Sequence, residues 1–180
     1  LPPASRASSS YSWSRRELSP LTKPPIAMTI AGSDSGGGAG IQADLKTFAA
    51  LGVYGTTVLT TITAQNTQGV TSIHEVPSKV IRDQFDAVIS DIGADVVKTG
   101  MLSSVEIIET IADSLKSLSM TNIVIDPVMV AKGGARLLHQ DAVEVLRSKL
   151  LPLARITTPN IPEAEVLSGL KIRTLQEAKQ

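Results

Sequence analysis

From Pro25 onward the apolar positions alternate between two spacings, one of strands and one of helices. Ile26 to Ile30 is a short apolar run that predicts a strand, and Ile41, Leu45, Phe48 and Ala49 then recur at helical intervals. Gly55 to Ala64, rich in Thr, Val, Leu and Ile, predicts a buried strand. The turn-prone stretch 66–69 leads to a shorter strand over Val70 to Val76. Ile81, Phe85, Val88, Ile89 and Ile92 predict a helix, Asp95 to Lys98 a short strand, and Val105, Ile108, Ile111, Leu115 and Leu118 another apolar helix face. Ile123 to Ile125 reads as a strand ending at Asp126, and a Gly133-Gly134 loop leads to a helix around Ala142, Val143, Leu146 and Leu150. Arg155 to Thr158 predicts a last short strand before a helix opened by Pro162, a residue favoured in the first helical turn. Strands alternating with helices of about 12 residues imply right-handed crossovers and a mostly parallel sheet, an α/β fold. The pattern holds neither an internal repeat nor a second domain.

The first 25 residues break this pattern. Seven serines (Ser5, Ser8, Ser9, Ser10, Ser12, Ser14 and Ser19) sit with Arg6, Arg15 and Arg16 against one acid, Glu17. Ser- and Arg-rich, acid-poor composition without an apolar centre is the mark of an organelle transit peptide, the alternative being an untargeted disordered leader. Beginning on Leu1 instead of Met, the sequence reads as incomplete at its start.

Composition narrows the chemistry. The 180 residues carry zero net charge and only 3% aromatics, so neither a basic stripe nor a stacking platform for nucleic acid is expected. There is no Cys, which excludes disulfides, thiolate metal sites and a cysteine nucleophile from this chain. No apolar run approaches the roughly 18 residues of a membrane helix. His74 and His139 stand isolated and read as surface residues.

The densest signal is the turn from Ala31 to Lys46, Ala-Gly-Ser-Asp-Ser-Gly-Gly-Gly-Ala-Gly-Ile-Gln-Ala-Asp-Leu-Lys. Glycines between a strand and a helix let backbone approach a small ligand, and Ser33, Asp34, Gln42 and Asp44 arrive at the same sheet edge. Without a ligand, the same turn is simply a tight connection. It is not a phosphate loop, because no glycine is followed by Lys-Ser or Lys-Thr. Gly38-x-Gly40-x-x-Ala43 fits a loose dinucleotide fingerprint, but no Asp or Glu lies between Asp44 and Glu75 to hold a ribose. Polar groups recur at the later strand ends: Gln65-Asn66, Thr99-Gly-Met101, Asp126-Pro-Val-Met129 and Thr158-Pro-Asn160. Singly, each is a common turn former or cap; five in succession point to a crevice at the carboxyl ends of the strands.

These residues, extended to Phe48 and joined by Thr63-Ala-Gln-Asn66, Lys98-Thr-Gly-Met-Leu102 and Thr158-Pro-Asn-Ile-Pro-Glu-Ala164, resemble the hydroxymethylpyrimidine/phosphomethylpyrimidine kinases of thiamine biosynthesis. The resemblance covers residues 26 to 180 nearly continuously. It implies a ribokinase-like, doubly wound sheet with flanking helices, of which residues 26–180 would be the N-terminal part. It also implies ATP and Mg²⁺, a pyrimidine alcohol as substrate, and a homodimer in the full-length protein. In plants such kinases precede a thiamine-phosphate synthase and carry a plastid transit peptide, which suits the leader and would place the protein in the chloroplast.

Position by position, the resemblance puts Gln65 where an amide reads the aminopyrimidine, offering both donor and acceptor. Asp44 falls where a carboxylate approaches the ring, Met101 and Val128 where apolar walls stand, and Gly32 beside them. Asn160-x-x-Glu163 matches a motif that organises Mg²⁺ and phosphate, with Asp126 a second acid nearby; Mg²⁺ retains water and needs few carboxylates. Lys132 is a candidate phosphate contact or a solvated loop lysine. The family's Gly-Thr-Gly-Cys anion hole and its proposed cysteine base fall beyond Gln180, so no catalytic residue is assigned and this chain alone is expected to be inactive. Two rivals stand beside this reading: a sister kinase acting on pyridoxal, and a non-catalytic pyrimidine-binding product.

Overall fold

The computed structural model describes residues 23–118, 120–130, 137–139 and 141–179. Six strands form one sheet in the order β3-β2-β1-β4-β5-β6: β1 (Ile26–Asp34), β2 (Tyr54–Gln65), β3 (Val70–Glu75), β4 (Val96–Thr99), β5 (Ile123–Ile125) and β6 (Ile156–Thr157). All neighbours pair in parallel except β2 and β3, which are antiparallel. The mostly parallel α/β sheet expected from the sequence is therefore present, with one antiparallel edge.

Helices α1 (Gly40–Ala50), α2 (Ser78–Asp91), α3 (Val105–Ser117) and α4 (Ala142–Val145) lie in the connections, and α5 (Ile161–Ser168) follows β6. The helix expected around Ala142 to Leu150 is only partly α-helical. After α4 it widens into a π-type turn over Leu146–Leu150 and tightens into a 3₁₀ turn over Leu151–Leu153. Pro152 in that last turn lacks the N–H that an α-helix would need there.

The two faces of the sheet differ sharply. Met28, Ile30, Val58, Val97, Ile123 and Ile125 point to one face and join Ile81, Phe85, Ile107, Ile108, Ile111, Leu146 and Leu150 in the main core. The other face carries small or polar residues, among them Ala27, Thr29, Thr57 and Lys98, and α1 packs there on β1 and β2 without burying any residue fully. β1 runs four residues past Ile30 because Ser33 and Asp34 still pair with β2. The register jumps between Ala31 and Ser33, and this bulge turns the consecutive residues Thr60 and Thr61 both inward. Thr61 then occupies the space beside Gly32, where a Cβ would lie 2.4 Å from its Oγ1. Further along, the β2 edge that β3 does not cover is completed by a side chain: Leu59 N donates to Gln84 Oε1 at 2.9 Å, and Gln84 Nε2 donates to Leu59 O at 3.1 Å.

Strand order reverses direction at β1, whose neighbours β2 and β4 lie on opposite sides. Such a switch point opens a crevice at the carboxyl ends of the strands. Here the crevice lies above β1 and β4.

Candidate functional site

The glycine-rich turn closes on itself before it meets any ligand. The buried Asp34 carboxylate accepts three backbone N–H groups: Gly36 at 2.8 Å on Oδ1, and Gly38 at 2.9 Å and Ala39 at 2.7 Å on Oδ2. Gln42 returns from α1, its Oε1 accepting from Asp34 N at 2.8 Å and its Nε2 donating to Ser33 Oγ at 2.8 Å. Of the four polar side chains expected to reach a ligand from this turn, Ser33, Asp34 and Gln42 are thus spent on the loop. Asp34 thus takes N–H groups that could otherwise cradle an anion, so the turn carries its own carboxylate in that place. Gly40, at φ +56°, lets the start of α1 lie on β1; a Cβ there would stand 2.3 Å from Gly32 O.

Asp44 behaves differently. It projects from α1 over the small-residue face, where Thr29 Oγ1 donates to its Oδ2 at 2.5 Å. Lys98 Nζ reaches both oxygens, at 3.2 Å to Oδ1 and 3.0 Å to Oδ2. The same ammonium lies 3.6 Å from Asp126 Oδ2 at the end of β5. Burial raises the Asp126 carboxyl above the ordinary aspartate range; Lys98 opposes that rise, while Glu163 and Asp44 add to it.

Gln65 ends β2 opposite the turn. Its backbone is held from both sides by Ser35 Oγ, which donates to Gln65 O at 2.6 Å and accepts from Gln65 N at 2.7 Å. Among the described residues its side-chain Oε1 accepts only a long 3.3 Å bond from Thr63 Oγ1. Gly32, Asp44, Gln65, Met101, Asp126 and Val128 all border one cleft of about 890 Å³, within the usual range for small-molecule sites. Met101 is held from behind, its carbonyl accepting from Thr60 Oγ1 at 2.9 Å.

The Asn160-x-x-Glu163 motif is a reciprocal cap on α5. Glu163 N donates to Asn160 Oδ1 at 2.9 Å, and Asn160 N donates to Glu163 Oε2 at 2.9 Å. Glu163 is 6% exposed, and its other oxygen accepts from Met129 N at 3.4 Å, tying α5 to the segment after β5. Lys132 and the Gly133-Gly134 loop lie outside the described residues, as does most of the serine-rich leader. His74 and His139 are exposed, as expected.

The phosphomethylpyrimidine kinase profile matches residues 34–180. The chain belongs to that family. A hydroxymethylpyrimidine/phosphomethylpyrimidine kinase of Haemophilus influenzae is 58% identical over 145 residues, which is 81% of this chain and 54% of the relative. A chloroplastic thiamine biosynthetic bifunctional enzyme of Arabidopsis thaliana is 48% identical over 160 residues, 88% of this chain and 31% of that one. Among solved structures, the phosphomethylpyrimidine kinase of Clostridium difficile superposes with a TM-score of 0.82 at 52% identity, covering 86% of this chain and 67% of that one. A Staphylococcus aureus pyridoxal kinase, solved with AMP-PCP and pyridoxal, superposes at 0.77 and 37% identity over 88% and 56% of the two chains. The ribokinase-like architecture is therefore established, and relatives of this fold take adenine nucleotides. The chain spans about half the length of the single-function kinases that it matches.

Within this kinase-family chain, the acidic pair Asp126 and Glu163 suits Mg²⁺ only through water. Among the described residues no group of three or more His, Cys, Asp or Glu side chains gathers to hold a metal. Both Glu163 oxygens already accept backbone N–H bonds, while Asp126 keeps a partly exposed carboxylate on the cleft. A cation that keeps most of its hydration shell fits such a donor set.

Sequence reasoning missed Lys98, quoted only as part of a motif, and the supporting roles of Thr29 and Ser35. The available signal for Lys98 was a lysine set between Val97 and Thr99, inside an apolar run that reads as a strand.

Proposed function

We propose that this chain forms the alcohol-binding part of a kinase that transfers the ATP γ-phosphoryl to 4-amino-5-hydroxymethyl-2-methylpyrimidine, and then a second phosphate to the monophosphate. The observation that carries this reading is the pairing of Asp44 and Gln65 on one cleft with Met101 and Val128. A carboxylate only accepts hydrogen bonds and suits the exocyclic amine; an amide donates and accepts, matching a ring that does both. Apolar walls suit the methyl-bearing heterocycle. Residues 26–180 are the N-terminal part of the kinase domain in this reading, and the catalytic anion hole lies in the rest of the protein.

Mg²⁺ would be held through water by Asp126 and Glu163, with Asn160 fixing Glu163; when bound it neutralises charge on the phosphates. Gln65 and Asp44 orient the ring, and Met101 and Val128 exclude water from its faces. The serine-rich leader directs the protein to the plastid in this proposal, and the full-length kinase is a homodimer.

The test is side-by-side phosphorylation of the pyrimidine alcohol and pyridoxal by the full-length protein. Calorimetric binding of the pyrimidine alcohol to the present chain accompanies it. Preference for the pyrimidine supports the reading, and preference for pyridoxal overturns it. Pyrimidine binding without turnover in any natural form would instead support a non-catalytic binding protein.

A further inference from the structure

Lys98 stands where the two ends of the cleft meet, between Asp44 and Asp126. Its Cα pairs with Thr29 on β1 and with Val124 on β5, so it rises from the middle of the sheet on the face covered by α1. Its side chain is 23% exposed, close to the 18% of Asp44. Immobilising a lysine there costs rotamer freedom and part of its hydration, so its contacts must offset both.

Those contacts join two groups of different duty. Both oxygens of Asp44 lie within 3.2 Å of Nζ, and Asp126 Oδ2 lies at 3.6 Å. Thr29 adds a second donor to Asp44 Oδ2, leaving Oδ1 as the oxygen with more spare acceptor capacity. The backbone is shaped around this cation, since a Cβ on Gly100 would lie 3.1 Å from Nζ and 3.0 Å from the Ala31 Cβ. Gly100 thus leaves the path over which the ammonium crosses from β4 to Asp44. Without a cation between them, Asp44 and Asp126 would face each other across the cleft as like charges and turn apart.

We propose that Lys98 is a positioning residue that aims Asp44 at the substrate alcohol and shares its charge with Asp126, coupling the alcohol end of the cleft to the phosphate end. The inference rests on the reading of this cleft as the alcohol site. It yields opposite effects for two neighbouring substitutions. Losing the cation frees Asp44 to rotate and weakens alcohol binding. Losing the competing carboxylate leaves Lys98 to Asp44 alone and preserves or tightens it.

The experiment uses the full-length protein and measures alcohol affinity by calorimetry without metal or nucleotide, alongside steady-state kinetics and thermal melts. Lys98→Met is expected to weaken binding of the pyrimidine alcohol about tenfold, and to raise KM by a similar factor while kcat at saturation falls less. Lys98→Arg, which keeps the charge, should recover most of the affinity, and Asp126→Asn should bind at least as well as the parent. Should Lys98→Met fail to fold, Lys98→Gln takes its place against the same arginine control. An affinity unchanged by Lys98→Met or Lys98→Gln overturns the proposal, as does Lys98→Arg being equally defective or Asp126→Asn binding as poorly as Lys98→Met. If the parent binds only pyridoxal, the functional reading fails, and the same variants judge Lys98 with pyridoxal as probe. A parent that binds neither alcohol overturns both.

Discussion

Asp34 is the residue on which the glycine-rich turn depends, and Asp34→Ala isolates its contribution. The substitution removes one carboxylate that accepts three N–H groups at 2.7 to 2.9 Å. Hydrogen bonds to a charged acceptor contribute roughly 1.5–3 kcal/mol each, but three bonds to one carboxylate are not additive. Gly36, Gly38 and Ala39 are exposed, so water would re-solvate much of what the carboxylate releases. The expected cost is about 2–4 kcal/mol, a fall in Tm of roughly 5–15 °C for a chain of this size. Asp34→Asn should fall between parent and alanine variant, at about 1–2 kcal/mol, because its single carbonyl oxygen can take Gly38 and Ala39 while its amide group faces Gly36 N. Urea unfolding followed by circular dichroism, repeated as thermal melts, measures all three. An alanine variant within about 0.5 kcal/mol of the parent would refute the account, since it would show the turn held by Gln42 and the helix start without its carboxylate.

Four further outcomes follow from the same geometry. Because burial raises the Asp126 carboxyl, its ionisation opposes folding: the protein is favoured below the unfolded value near pH 4, and that advantage is lost as pH climbs through the raised folded value. Asp126→Asn should therefore melt higher than the parent at pH 7 and converge with it below about pH 4; a lower melt at pH 7 would contradict this. Gly32→Ala forces a Cβ to within 2.4 Å of Thr61 Oγ1, and urea titration should show a loss of about 1–3 kcal/mol that Thr61→Ala partly restores. Asn160→Ala removes one half of the α5 cap and should cost about 0.5–2 kcal/mol by the same titration, whether or not metal is present. Ser35→Ala loosens the backbone of Gln65 from both sides, and calorimetry should show weaker pyrimidine binding with little change in Tm.

How much of this was legible beforehand depended on how local each cause is. The order of strands and helices was readable because each crossover repeats a short apolar run followed by a helical stripe. The end of β1 was not, since Ser33 and Asp34 look like loop residues and stay in the sheet only through a bulge opposite Thr60 and Thr61. The antiparallel sense of β3 was hinted at by the short turn over 66–69, but periodicity carries no direction. Site residues divided in the same way. Asp44, Gln65, Met101 and Val128 do share one cleft. Ser33, Asp34 and Gln42 have the same chemistry on paper and serve the turn instead, because sequence does not reveal whether a polar side chain faces its own loop. Lys98 went unassigned because its meaning comes from Asp44 and Asp126, residues 54 and 28 positions away that meet it only across the folded sheet.

The reciprocal cap at Asn160 and Glu163 has a consequence for how such chains change over generations. The two side chains start a helix and pin it to the segment after β5 whatever chemistry occurs nearby. A descendant that abandoned the proposed chemistry would still lose stability on shedding either residue, so purifying selection would retain the pair. Retention of Asn-x-x-Glu in a divergent sequence is therefore a marker of architecture first. Loss of activity would be recorded sooner at residues with no structural duty, such as the cleft-facing amide of Gln65.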